Sequence, residues 1–174
     1  MNTPNLKSNR IELIPMSLDY VNEKYLGWLL DSDVNRYLEV SKDIKIDDLR
    51  AYVKSKQNKN VMFWAIINES KEHIGNIKLD PVNYKHLTTT LGIMIGDKSS
   101  WGKGYAKESM RIVIDFVFNE LNFRKINLGV VKNNQEALNL YLKLGFKIEG
   151  TLEKQGIYDD NYCDTVLMAL FKEE

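Results

Sequence analysis

Between residues 88 and 121 the hydrophobic period of the chain changes from two to nearly four, and this switch constrains the fold more than any other feature. Thr88 to Ile95 reads as a strand that ends at Gly96-Asp97. From Gly104 to Leu121 the apolar residues Ala106, Met110, Val113, Ile114, Val117 and Leu121 follow at steps of 4, 3, 1, 3 and 4, which places them on one face of a helix. A strand that passes through a glycine-bearing turn into a long one-faced helix needs a sheet on which that helix can bury its stripe.

The flanking sequence supplies such a sheet. Arg10 to Pro15 predicts an edge strand stopped by Pro15. Ser17 and Asp19 offer caps for a helix carrying Tyr20, Tyr25, Leu26, Leu29 and Leu30, and a second helix is expected over about Asp47 to Gln57. Val61 to Ile67 is an almost continuous apolar run, His73 to Leu79 alternates, and polar Asn68 to Glu72 between them reads as a hairpin turn. Lys125 to Val131 is again strand-like. Asn134 opens a short helix with Ala137, Leu140, Tyr141 and Leu144 on its face, and Gly145 stops it. Two strands, Lys147 to Lys154 and Tyr162 to Phe171, finish the chain. The expectation is one α+β (mixed α/β) domain over residues 1–174, with a sheet flanked by helices.

Composition removes several classes of function. Lys plus Arg number 24 and Asp plus Glu number 24, so the basic excess of a general nucleic-acid binder is missing. Cys163 stands alone, which excludes an internal disulfide framework and a Cys-rich zinc site. No metal is expected, and a reducing, cytoplasmic setting is. No stretch approaches the ~20 apolar residues of a membrane span. Met1 to Lys7 lacks the apolar core of a secretory signal. A membrane partner is therefore not expected.

The turn Gly96-Asp97-Lys98-Ser99-Ser100-Trp101-Gly102-Lys103-Gly104 carries the chemistry. Free backbone N–H groups at a helix start form an anion site, and glycines let a phosphate approach the main chain. Lys103 and Lys107 add positive charge beside it. The Gly-x4-Gly-Lys-Ser/Thr order of a P-loop is absent, and Gly-x-Gly followed by Tyr105-Ala106 does not make a dinucleotide fingerprint. Taken alone, the segment is equally compatible with an ordinary strand-to-helix turn.

Its last residues, together with a second motif, resemble the GCN5-related N-acetyltransferase (GNAT) superfamily, in particular the branch of ribosomal-protein-alanine and amino-sugar N-acetyltransferases. Gly104-Tyr105-Ala106 match the end of that family's Gln/Arg-x-x-Gly-x-Gly/Ala turn, with Trp101 standing where Gln or Arg is usual. Downstream, Asn134 opens a helix, followed by Tyr141-Leu142-Lys143-Leu144-Gly145-Phe146 and Glu149-Gly150. The resemblance covers nearly the whole chain, and its specific part lies between residues 91 and 150.

The resemblance implies a mostly antiparallel sheet of six or seven strands, splayed in the middle, and acetyl-CoA as cosubstrate. It implies that Trp101, Gly102, Lys103, Gly104, Tyr105, Ala106 and Lys107 hold the diphosphate. Met94 and Ile95 would meet the pantetheine arm through their backbone, and Asn134, Tyr141 and Lys143 would meet it from the second helix. Tyr141 is implied as the general acid for the leaving thiolate. Asn134 and Tyr141 lie two helical turns apart on one face, roughly 10 Å. The base stays open: Leu91 to Ile95 has no carboxylate, and Glu39, Asp97, Glu149, His73 and His86 are candidates without a distinguishing signal.

Two acidic stretches, Asp31 to Asp48 and Glu149 to Asp164, flank the acceptor cleft in the family fold. They could steer a cationic amine toward it. Trp28, Tyr37, Trp64 and Tyr84 could line an acceptor pocket or simply fill the core. The expected reaction is direct transfer of acetyl to a primary amine in a ternary complex. A small amine such as a nucleotide-linked amino sugar is preferred over a protein N-terminus, and a non-catalytic acyl-CoA sensor is the reading from another class. The oligomer is left as monomer or homodimer.

Overall fold

The computed structural model of the chain describes residues 3–58 and 60–173. Eight strands form one sheet: β1 (Leu6–Lys7), β2 (Ile11–Pro15), β3 (Met62–Asn68), β4 (His73–Asn83), β5 (Thr88–Ile95), β6 (Lys125–Val131), β7 (Lys147–Tyr158) and β8 (Asn161–Phe171). Their order is β1-β2-β3-β4-β5-β6-β8-β7, and β5 with β6 is the parallel pair in an otherwise antiparallel sheet. The helices are α1 (Glu23–Leu30), α2 (Ser32–Asn35), α3 (Ile46–Ser55), α4 (Tyr105–Asp115) and α5 (Gln135–Lys143).

The apolar run of β3 is buried on both faces because both faces are covered. Met62, Trp64 and Ile66 point into a core shared with Met110, Val113 and Val117 of the α4 segment. Phe63, Ala65 and Ile67 point into a second core with Tyr25, Trp28 and Leu29 of α1 and Leu49 and Val53 of α3. The stripe beyond α4 continues through a π-helical turn, Phe116–Glu120, in which Leu121 N–H donates to the Phe116 carbonyl.

Two sequence expectations change here. β2 is not an edge strand, because the two-residue β1 pairs outside it through Leu6–Leu13 and Lys7–Glu12; this extra strand brings the count to eight. Ser17 caps a 3-10 turn over Leu18–Tyr20 rather than α1, whose cap is Asn22, its side-chain oxygen accepting from Tyr25 N–H.

One break in pairing matters most. β5 and β6 pair only at Thr88–Lys125, Thr89–Ile126 and Thr90–Asn127. Beyond Thr90 the two strands separate, while β5 stays bonded to β4 as far as Ile95 and β6 to β8 as far as Val131. The sheet is therefore splayed at its centre.

Candidate active site

Separation of the strands opens a cleft of about 1650 Å³. Leu91 to Ile95 of β5 form one wall and Gly129 to Val131 of β6 the other. The turn into α4, the α5 helix and the segment from α1 to α3 close it round.

Strand alternation shows which backbone groups face this opening. Gly96 N–H donates to the Ile74 carbonyl of β4 at 2.9 Å. Main-chain groups point to alternate sides along a strand, so those of Gly92 and Met94 also face β4, and those of Leu91, Ile93 and Ile95 face the cleft. The opened edge therefore belongs to Ile93 and Ile95 rather than to Met94, whose side chain packs on the α1–α3 core.

Gly102 and Gly104 hold φ of 72° and 83°, values in the left-handed region that glycine adopts at least cost. Gly104 is the N-cap of α4 and provides no side chain to bond the first-turn amides, and the helix ladder begins only with Glu108 N–H to the Gly104 carbonyl. The N–H groups of Tyr105, Ala106 and Lys107 thus point toward the cleft without an intrahelical acceptor. Trp101 explains how the turn does without Gln or Arg: its indole N–H donates to the Ile95 carbonyl at 2.9 Å and ties the turn to the strand end.

Across the gap, α5 ends in a Schellman motif. Phe146 N–H donates to the Tyr141 carbonyl and Gly145 N–H to the Leu142 carbonyl, with Gly145 at φ 92°. The Tyr141 and Phe146 rings pack 6.0 Å apart. The Lys-x-Gly-Phe sequence therefore fixes Tyr141 in place. Its phenol has no hydrogen-bond partner among the described residues, and burial pushes its pKa up to about 12. Asn134 caps α5, its Oδ1 accepting from Ala137 N–H at 3.2 Å, which leaves its amide N–H groups for the cleft.

Met94, Ile95, Trp101, Gly102, Gly104, Tyr105, Ala106, Lys107, Asn134, Tyr141 and Lys143 all line the cleft. Lys103 does not. The Tyr105 phenol is turned away to Glu69, to which it donates at 2.9 Å. Of the candidate bases, Glu39 alone reaches the cleft. Asp97 accepts from Ser99 N–H and from the Ser99 and Ser100 hydroxyls; burial works to raise its pKa, but these bonds outweigh it and hold the carboxyl low. Glu149 is bonded to Lys125 through both oxygens, and His86 sits on the exposed turn at the far end of β5. Trp64 and Trp28 are core, Tyr84 packs on Phe123, and only Tyr37 of the four aromatics lines the cleft.

His73 is enclosed by Tyr20, Tyr25 and Trp28, with its Nε2 bonded to the Gly75 carbonyl and Asn76 Oδ1. Burial lowers its pKa below the ordinary histidine value. Below pH ~6.5 the unfolded chain binds a proton that the folded chain resists, so His73 costs stability as pH falls through that value. Melting curves at pH 5 and pH 7.5 should show a drop at low pH that His73→Gln reduces.

The acidic stretches meet at the mouth of the cleft. Arg36 bonds Asp159 at 2.8 Å, Tyr37 packs against Tyr158, and Tyr37 hydroxyl donates to the Asn133 carbonyl. Asp33 and Glu39 face the opening. The inner wall is different. Lys78 Nζ donates to the Tyr52 hydroxyl at 2.8 Å and lies 3.5 Å from Asp80, whose same oxygen holds Lys56 at 2.6 Å. Two ammonium groups share one carboxylate. Beside them Asn76 is buried, and its Nδ2 has no partner among the described residues. No sequence signal marks this wall, because polar residues alternating on a strand read as a solvent face.

An opened strand edge leads to an uncapped helix start, with a phenol across the gap. The acetyltransferase (GNAT) domain family matches residues 10–147, and the chain belongs to that family. It is 31% identical over 103 residues to the spermidine N(1)-acetyltransferase of Escherichia coli, a match spanning 59% of this chain but only 55% of that protein. An uncharacterized N-acetyltransferase of Bacillus licheniformis is 25% identical, with 97% of each chain covered. The crystal structure of spermidine N-acetyltransferase from Vibrio cholerae in complex with CoA and spermine superposes with a TM-score of 0.85 at 23% identity, covering 95% of this chain and 97% of that one.

Proposed function

We propose that this chain transfers an acetyl group from acetyl-CoA to a primary amine by direct attack in a ternary complex. The observation that carries the reading is the splay of β5 from β6, which runs unpaired backbone groups into the uncapped start of α4 and faces them with Tyr141. The cleft exceeds the 300–1,000 Å³ of an ordinary small-ligand site, which leaves room for two substrates together.

In this reading the first-turn amides of α4, with Lys107 beside them, neutralise the diphosphate. The N–H groups of Ile93 and Ile95 orient the pantetheine arm and can stabilise negative charge on the thioester oxygen. Tyr141 supplies a proton to the departing sulfur. No metal is required.

Spermidine is the acceptor named for several relatives, and Asp33 and Glu39 at the mouth suit a polycation. Polyamines therefore replace nucleotide-linked amino sugars as the first class proposed, ahead of protein N-termini. The inner wall favours a second reading. Lys78 and the unpartnered Asn76 Nδ2 are donors that suit an amine carrying its own carboxylate or phosphate, and an extra ammonium there opposes a polycation.

The test is thiol release from acetyl-CoA against spermidine, amino sugars, nucleotide-linked amino sugars, amino acids and N-terminal peptides, with Lys78→Met alongside. If a polyamine is the acceptor, Lys78→Met holds or raises kcat/KM for spermidine. If an oxyanion-bearing amine is, that variant loses about tenfold or more on it. Silence of the whole panel in a chain that binds acetyl-CoA would return the sensor reading.

A further inference from the structure

We infer that Arg10, outside the cleft and immediately before β2, is a positioning residue that aims the diphosphate-binding turn. The inference rests on the coenzyme A reading above and goes beyond the residues that reading places in contact with the ligand.

Arg10 Nη1 donates to the Lys103 carbonyl at 3.2 Å. The peptide bond between Lys103 and Gly104 is trans, so the Gly104 N–H points opposite to that carbonyl. Arg10 does not line the cleft and Gly104 does. Holding the carbonyl on one side therefore presents the amide on the other, toward the ligand. Without that bond, the peptide between two positive-φ glycines at 102 and 104 is free to turn over.

The guanidinium is itself fixed. Its Nε and Nη2 donate to Glu108 Oε2 at 2.9 and 2.6 Å, and its backbone N–H reaches Glu108 Oε1 at 3.2 Å. Glu108, in the first turns of α4, also accepts from the Ser8 hydroxyl at 2.6 Å. The Tyr105 ring lies under the guanidinium at 5.1 Å, and its own hydroxyl is anchored on Glu69. Two forked donations to Glu108 and a third bond to Lys103 need a planar, five-donor group; an ammonium cannot make them together.

The experiment titrates CoA calorimetrically into the wild-type chain, Arg10→Met, Arg10→Lys and Ser8→Ala, and measures kcat and KM with acetyl-CoA and with acetylpantetheine, which lacks the diphosphate. Arg10→Met should weaken CoA binding and raise KM for acetyl-CoA by about tenfold, the scale of one charge-assisted hydrogen bond, with kcat within about twofold. Arg10→Lys should not restore binding, because charge alone does not aim the carbonyl. Ser8→Ala removes one bond to Glu108 Oε1 but keeps both guanidinium bonds to Oε2 and the bond to Lys103, and should weaken CoA binding less than Arg10→Met does. Acetylpantetheine should be used equally by wild type and Arg10→Met. Unchanged CoA affinity in Arg10→Met, full rescue by Arg10→Lys, or an equal loss on both thioesters would overturn the assignment. Failure of the wild-type chain to bind CoA would instead sink the coenzyme A reading on which it rests.

Discussion

Tyr141→Phe should lower kcat by about 10²- to 10³-fold while leaving the affinity for CoA within about twofold. The substitution removes one oxygen from a ring that otherwise keeps its packing on Phe146 and its place in the Schellman turn. Stability should barely change, because the phenol has no partner to lose among the described residues. The pH dependence follows from the same burial. With its pKa pushed up to about 12, the phenol stays protonated through the working range. The rate should rise with pH as the acceptor amine loses its proton and show no falling limb from Tyr141 below pH ~10. Stopped-flow thiol release between pH 6 and 10 reads both effects. Turnover in the Phe variant equal to wild type would remove Tyr141 from the mechanism.

Gly104→Asp should raise KM for acetyl-CoA by about 100-fold with a much smaller effect on kcat. The φ of 83° costs a side chain roughly 1–2 kcal/mol, and space is not the obstacle, since a Cβ here would lie 3.7 Å from Arg10 Nη2. Charge makes the difference. A carboxylate at the N-cap accepts the first-turn amides of α4 itself and repels a diphosphate from the same donors. Gly104→Ala carries the strain without the charge and should show only a modest loss. If the two variants raise KM equally, strain rather than occupation of the anion site explains the effect.

Much of this arrangement was legible in the sequence, for identifiable reasons. β5 and β6 matched their expected bounds residue for residue, because each is a β-favouring segment between clear turn residues. The α5 cap and stop were legible because Asn134 and Gly145 act locally. The two-residue β1 is too short to carry a period, so β2 was read as an edge. Residue type without placement could not separate the candidate bases: Asp97 serves a turn, Glu149 an ion pair and His73 the aromatic cluster around Trp28. The cation on the inner wall was hidden because nothing local says that α1 to α3 will cover that face of β4. The bond from Arg10 to Lys103 spans 93 positions, and only the folded sheet brings them together.

Amine-dependent thiol release from acetyl-CoA, measured across the acceptor panel with wild-type chain and Tyr141→Phe side by side, tests whether the cleft catalyses acetyl transfer. Release should require a primary amine, saturate in both substrates and fall by about two orders of magnitude or more in the Phe variant. No amine-dependent release from any acceptor, in a chain that binds acetyl-CoA no better than ATP, would contradict acetyl transfer by the cleft.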